Sequence, residues 1–253
     1  MKLFLLLMAW VACLAYAESA NEVRQWEITI EDGKGVAPRK YAYKPFSNID
    51  KEYAQKIKEI CDWIIVDDDK NSEISKDAQA QYTEKFLKIS NIGTWGKWNV
   101  IDVTNANINH KGILLQDKNK KYYILYLQFD ETISVDYLPS IENVQGRKVL
   151  IADVELSGTA REHTENYFVL DSSGNPAQID VSAIRKATNK AVPPGWGVWK
   201  GGIDIRDPVY SSPVWKRNDA NCCPTGGEIT INVSLVGSAL QVKRVQYDKH
   251  RKQ

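Results

Sequence analysis

The 253-residue sequence contains few of the residues that usually perform catalysis or bind metals. It has three histidines, His110, His163 and His250, and four cysteines. No H-E-x-x-H or C-x-x-C spacing occurs, and zinc is usually held by closely spaced His and Cys ligands. A G-x-S-x-G sequence and a phosphate-binding loop are also absent. We therefore expect no catalytic constellation, no metal and no cofactor.

An excess of charge of either sign is also lacking. The chain has 33 basic and 32 acidic side chains, and its basic residues form no block apart from a short tail at 249–253. A protein that follows a nucleic-acid backbone needs a basic surface. This composition argues against a nucleic-acid partner.

Long apolar runs are missing except at the start of the chain. Lys2 is followed by an apolar stretch at 3–14 and then by Ala15-Tyr16-Ala17, which has the form of an export signal with a cleavage site. No later stretch approaches the ~20 apolar residues needed to span a bilayer. We predict a signal peptide at 1–17, cleavage near Ala17, and a periplasmic or secreted protein without a transmembrane segment. The alternative is a lipoprotein anchored through Cys13, although Trp10 fits such a signal poorly.

Three cysteines remain after cleavage, namely Cys61, Cys222 and Cys223. An odd number in an exported chain leaves one thiol unpaired or bonded to another molecule. We expect Cys222 and Cys223 to be paired, and Cys61 to be a small buried residue on the apolar face of a helix. Neighbouring Cα atoms are only ~3.8 Å apart, so a disulfide between Cys222 and Cys223 needs a tight turn. Pairing of Cys61 with one of the two stays open.

The apolar periodicity predicts an α+β fold, mainly antiparallel sheet, with an N-terminal helix pair and a C-terminal β-hairpin. Helices are predicted at 48–65, capped by Ser47, and at 73–89. The predicted organisation is a strand plus the helix pair at 18–92, an antiparallel β-rich domain at 93–248 and the basic tail. Whether this forms one domain or two stays open.

Most of the remaining chain has the alternation and turn signals of strands. The final hairpin is the clearest, with strict alternation over 228–235, a turn at Gly237-Ser238 and a bulge near Arg244. The other predicted elements are an opening strand at 22–31, a hairpin at 111–129 whose second strand is covered on both faces, strands at 147–156, 166–170, 197–205 and 209–215, and a short helix through Ile184, Ala187 and Ala191.

Three tryptophans near the final hairpin are candidate binding residues. Trp196 and Trp199 flank glycines, and Trp215 follows Pro213-Val214. Exposed aromatic rings of this kind form platforms for sugars or peptides. The alternative is that the three rings close the end of a core.

The segment 219–227 reads DANCCPTGG, and PGWGVWKG at 194–201 precedes it. Together they resemble exported bacterial proteins of unassigned function, which carry a D-A-N-C-C-P-S/T-G-G element before a closing hairpin. The chain is more faintly similar to mycobacterial lipoproteins with a C-C-P-S motif, but has Thr225 in place of the serine. The resemblance covers about the last third of the chain. It implies an envelope location and a Cys222–Cys223 pair, but no reaction and no substrate.

These observations favour an exported envelope protein that binds a partner or has a structural role without catalysis. The expected partner is an unidentified protein or glycan of the cell envelope. The alternative is an envelope hydrolase or thiol-active enzyme that uses Cys222 or Cys223, with His110 or His163 as the orienting base.

Overall fold

A computed structural model describes residues 26–30, 39–67, 87–105, 110–129, 139–152, 166–198, 204–220 and 223–250. The chain divides into two compact units, residues 1–45 and 46–253. In the first unit, β1 (Trp26–Ile30) pairs antiparallel with β2 (Arg39–Tyr43). The strand β1 lies within the opening strand that the sequence predicts.

The second unit begins with the helix α1 (Ile49–Asp67), which confirms the predicted helix at 48–65. Its N-terminal cap is Asn48, not the predicted Ser47. The Asn48 side-chain oxygen accepts the amide N–H groups of Asp50 and Lys51 at 3.0 and 3.1 Å. Those amides have no partner within the helix, so an amide oxygen placed one residue before it stabilises the first turn.

Four antiparallel strands form the first sheet of this unit, in the order β3-β4-β5-β6. They are β3 (Leu87–Trp95), β4 (Trp98–Asn105), β5 (His110–Gln116) and β6 (Tyr122–Phe129). The hairpin predicted at 111–129 corresponds to β5 and β6, and the backbone of Asp117 closes its turn with Lys120 and Lys121.

The second predicted helix, 73–89, is wrong at its C-terminal end. Residues 87–89 belong to β3, where Leu87 lies opposite Asn105 and Ile89 opposite Val103; residues 73–86 lie outside the described residues. Apolar residues three apart fit a helix, but pairing with β4 overrides that local pattern. Gly93, near which the sequence predicts a boundary, lies inside β3 beside a register shift.

The prediction that β6 is covered on both faces is also wrong. Ile124 is buried, but the other described side chains of this strand are only half-buried, because β6 is at the edge of the sheet. The strands with buried side chains on both faces are the central ones, β4 and β5. An apolar run therefore identified a strand but not its position in the sheet.

The second and third sheets share a core. The second has the order β10-β9-β8-β7, and its strands are β7 (Ser140–Val144), β8 (Arg147–Ile151), β9 (Tyr167–Leu170) and β10 (Pro176–Gln178). The third has the order β11-β12-β13, with β11 (Val209–Pro213), β12 (Glu228–Val236) and β13 (Ala239–Asp248). Their buried core side chains are Val144, Val149, Ile151, Tyr167, Val169, Ile179, Ile184, Val192, Val198, Ile205, Val214, Ile229, Ile231, Val233 and Leu240.

The chain ends in the pair β12–β13, where the sequence predicts a closing hairpin. Asn232 lies opposite Arg244 and Val233 opposite Val242, so Lys243 is the extra residue of a bulge. The helix α2 (Ser182–Ala191) lies against β13, and its buried Ile184 joins the shared core. The described fold is thus mostly antiparallel sheet with two helices.

Two tryptophans at the tip of the β3–β4 hairpin join the first sheet to the second. The indole N–H of Trp95 donates to the Lys148 carbonyl oxygen at 3.0 Å, and that of Trp98 donates to the Gly174 carbonyl oxygen at 2.8 Å. Both tryptophans are buried. These two bonds fix the hairpin tip against the second sheet.

Candidate functional site

Cys223 lies on a surface loop that one carboxylate organises. We call residues 216–220 and 223–226 the Asp219 loop. One oxygen of Asp219 accepts the amide N–H groups of Lys216 and Thr225, both at 2.7 Å, and the other accepts the Thr225 hydroxyl at 2.8 Å. Desolvation opposes ionisation, but these hydrogen bonds prevail and hold the pKa of Asp219 below its ordinary value. The carboxylate is therefore ionised at neutral pH and closes the loop.

The structure places two of the predicted binding tryptophans beside this loop. The backbones of Gly197 and Trp215 exchange two hydrogen bonds, 2.9 and 2.8 Å long. Trp196 is half-buried against the shared core, and the Lys216 ammonium lies 5.5 Å from the centroid of its ring. A Cβ atom on Gly226 would lie 3.0 Å from the same ring, so glycine allows this close approach. Trp196 thus both closes the core and faces the loop, while Trp199 lies outside the described residues.

Cys223 is exposed on the Asp219 loop, and its amide N–H donates to the Ala220 carbonyl oxygen at 3.0 Å. Cys222 lies outside the described residues, so the Cys222–Cys223 disulfide stays a prediction. Cys61 belongs to α1, but its side chain is not described, and its state stays a prediction too.

We expect the Asp219→Ala variant to loosen this loop, because it removes the acceptor of two amides and one hydroxyl. Hydrogen exchange at the amides of Lys216 and Thr225 should accelerate by about tenfold or more, as in local opening. Asp219→Asn retains an oxygen acceptor and should exchange nearly as wild type does. Equal protection in Asp219→Ala and wild type would show that the carboxylate does not hold the loop.

No protein-family model, curated protein or solved structure matches the chain.

Sequence reasoning missed a buried hydrogen bond between α1 and β5. The hydroxyl of Tyr53 lies 2.7 Å from Nε2 of His110, and both side chains are inaccessible to solvent. His110 is the first residue of β5, and Tyr53 lies 57 residues earlier in the sequence, so no local pattern joins the two. The ring of His110, one of the two predicted bases, is buried and hydrogen-bonded to Tyr53. His163, the other predicted base, lies outside the described residues.

A second buried polar pair lies on neighbouring strands of the same sheet. The Lys111 ammonium on β5 is 3.7 Å from a carboxylate oxygen of Asp102 on β4, and both side chains are at most 2% exposed. Desolvation raises the pKa of Asp102 to about 6, against the opposing charges of Lys111 and Lys88. The apolar sequence of β4 contains one aspartate, and this could have indicated a buried charge. Its partner Lys111 could not be predicted, because it depends on the register between β4 and β5.

Within the part of the chain that the structure describes, no three His, Cys, Asp or Glu side chains are grouped to hold a metal ion. Neither of the described helices is long and apolar enough to cross a membrane.

Proposed function

We propose that this protein is an exported envelope protein that binds a partner without catalysis, and that the Asp219 loop with Trp196 is its recognition surface. The proposal rests on one observation. The Asp219 carboxylate closes the loop by accepting the Lys216 amide, and the Lys216 ammonium lies over the ring of Trp196. A loop closed by one carboxylate loses little conformational entropy on binding, and this favours affinity. The export signal and the resemblance of the DANCCPTGG element support the envelope location.

The partner we propose is a protein or glycan of the envelope that presents negative charge. Lys216 and Arg217 are both exposed, and Cδ of Arg217 lies 4.0 Å from the position that a Cβ atom on Gly195, the neighbour of Trp196, would occupy. Cations beside a half-exposed tryptophan suit a ligand that combines an acidic group with a flat apolar face. Tryptophan and arginine are also the residues that most often dominate binding energy at interfaces.

The double variant Lys216→Glu/Arg217→Glu tests this function. We expect its dissociation constant for isolated envelope material from the source cells to rise by about tenfold or more, because two attractive charges become repulsive. The matched control is Lys118→Glu/Lys190→Glu, which makes the same charge change at exposed positions on the β5–β6 turn and on α2. Equal weakening in both would indicate a non-specific charge effect and contradict the proposed surface.

The exposure of Cys223 favours one further candidate, a thiol-active envelope enzyme or hydrolase. Intact mass of the mature protein after alkylation at neutral pH separates the two functions. Alkylation of Cys222 or Cys223 without reductant, together with turnover that the alkylation abolishes, would support the enzyme. Alkylation only after reduction would indicate the predicted disulfide and favour the binding protein.

A further inference from the structure

The second and third sheets form a cleft whose lining contains no residue of the Asp219 loop. The cleft has a volume of about 550 Å³ and lies between two turns, one after β9 and one joining β12 to β13. Binding sites for small molecules usually have volumes of about 300–1,000 Å³. Its lining residues are Arg147, Val169, Leu170, Asp171, Ser172, Gly237 and Ser238.

The cation of this cleft is held in place by the two sheets that form it. The Arg147 guanidinium, on β8, donates one N–H to the Gly237 carbonyl oxygen and another to the Leu170 carbonyl oxygen, the latter at 3.0 Å. A guanidinium has five N–H donors in one plane, so donors remain that bond to no described residue. A fixed guanidinium of this kind suits a planar carboxylate, which accepts two parallel hydrogen bonds.

The anion of the cleft is held in a similar way. One carboxylate oxygen of Asp171 accepts the amide N–H groups of Ser173 and Asn175 at 2.8 and 2.9 Å. The other oxygen accepts no hydrogen bond from the described residues, and the side chain is exposed. The Arg147 cation and the Asp171 anion thus line the same cleft, and each is held by backbone groups and not by the other.

We propose that this cleft binds a small zwitterion of the amino-acid or short-peptide class. Arg147 binds its carboxylate, and Asp171 binds its ammonium group. The hydroxyls of Ser172 and Ser238 complete the polar rim, while Val169 and Leu170 supply an apolar wall. The site goes beyond the proposed function, because it uses no residue of the Asp219 loop.

Titration of the isotope-labelled mature protein with L-alanyl-L-alanine, followed by NMR, tests this proposal. We expect saturable shifts of the amides at 170–173 and 237–238, with a dissociation constant of about 1 mM or tighter. The N-acetylated dipeptide lacks the ammonium and the dipeptide amide lacks the carboxylate. Each should bind about tenfold more weakly or worse, because one fixed charge is left without its counterion.

The variant Asp171→Asn removes the proposed ammonium ligand and keeps an oxygen for the two turn amides. We expect it to bind the dipeptide about tenfold more weakly and to bind the N-acetylated dipeptide as wild type does. The matched control is Asp117→Asn, because Asp117 accepts the amides of Asn119 and Lys121 in the same geometry on the β5–β6 turn. This control should leave the affinity of the cleft for the dipeptide unchanged.

Three results would overturn the proposal. The first is the absence of saturable shifts at the cleft amides at dipeptide concentrations of ~10 mM. The second is equal affinity for the dipeptide and both blocked analogues, which would remove any role of the two charges. The third is equal loss of affinity in Asp171→Asn and Asp117→Asn. Failure of the Lys216→Glu/Arg217→Glu test would leave this site unaffected, since it lies on other residues.

Discussion

Gly112→Ala is expected to destabilise the protein by about 2–3 kcal/mol, and loss of the Tyr53 hydroxyl is expected to relieve much of that cost. Gly112 is on β5, where Tyr53 of α1 packs over it. A Cβ atom at this position would overlap the Tyr53 hydroxyl oxygen, well inside normal contact distance, and would lie 3.1 Å from a methyl group of Leu127. Only the hydroxyl makes a severe clash, so the variant forces the helix away from the sheet.

Tyr53→Phe alone should cost about 1–3 kcal/mol, because it removes the 2.7 Å hydrogen bond between the Tyr53 hydroxyl and the buried His110 ring. In the double variant Gly112→Ala/Tyr53→Phe the alanine methyl group occupies the space of the lost hydroxyl. We therefore expect the double variant to be more stable than the sum of the single costs implies, by about 1 kcal/mol or more. Denaturant unfolding of the four proteins measures this coupling.

Gly146→Ala supplies the control for the same cycle. Gly146 has a φ of 80°, and a Cβ atom there would have no atom within 4 Å, so its cost arises from the backbone alone. Combined with Tyr53→Phe, this cost should simply add. Additive costs for Gly112→Ala as well would contradict the packing of Tyr53 over β5.

Lys111→Met is expected to destabilise the protein by about 3–5 kcal/mol at neutral pH, the range for removing one member of a buried ion pair. The variant keeps an apolar side chain of similar length but leaves the Asp102 carboxylate in a buried position with its nearest cation gone. Without Lys111, the neutral carboxyl of Asp102 has a lower free energy in this buried position than the carboxylate has. Much of the lost stability should return at acid pH, where that carboxyl is neutral.

The wild-type pair has a pH dependence of its own, with a defined sign. The folded pKa of Asp102, about 6, exceeds its ordinary value of 3.8, so the folded state binds the proton more tightly than the unfolded state. Protonation of Asp102 contributes to the free energy of unfolding. This contribution is complete below pH 3.8 and is lost as the pH rises through about 6, a total change of about 3 kcal/mol. Asp102→Asn cannot titrate at this position, so the stability difference between it and wild type should change by about 2 kcal/mol between pH 4 and 6, most of the full effect.

Chemical unfolding of wild type, Lys111→Met and Asp102→Asn across this pH range checks both expectations. The exposed variant Lys118→Met controls for the loss of a lysine and should change stability by less than ~0.5 kcal/mol at every pH. A constant difference between wild type and Asp102→Asn from pH 4 to 6 would mean that Asp102 does not titrate with a raised pKa.

Local sequence patterns predicted those helices and strands whose packing in the fold favours the same structure as their own sequence does. The helix α1 has an apolar stripe and a capping residue, and its predicted bounds differ from the observed ones by no more than two residues. The β12–β13 pair has strict alternation and a glycine turn. By contrast, Leu87 and Ile89 fit both a helix and a strand, and only pairing with β4 decides between them. Capping by Asn48 instead of Ser47 is a difference of one residue that propensity alone does not resolve.

The residues of the candidate sites that the sequence predicts are likewise those that a local pattern marks. The sequence identified the Asp219 loop and Trp196 because glycines, prolines and adjacent cysteines mark a turn in the chain itself. It did not reveal the Asp102–Lys111 or Tyr53–His110 pairs, because each joins residues on different elements whose register and packing no local pattern contains. The Arg147 cleft was missed for the same reason, since Gly237 lies 90 residues away in sequence.

The indole bonds at the tip of the β3–β4 hairpin have a consequence for synthesis of the chain. Trp95 and Trp98 are 53 and 76 residues away in sequence from the carbonyl groups that accept their N–H groups. During translation β3 and β4 can pair early, but the rings of Trp95 and Trp98 stay exposed to water until the second sheet has been synthesised. Such an interval favours capture by holding chaperones and exposes the nascent chain to aggregation.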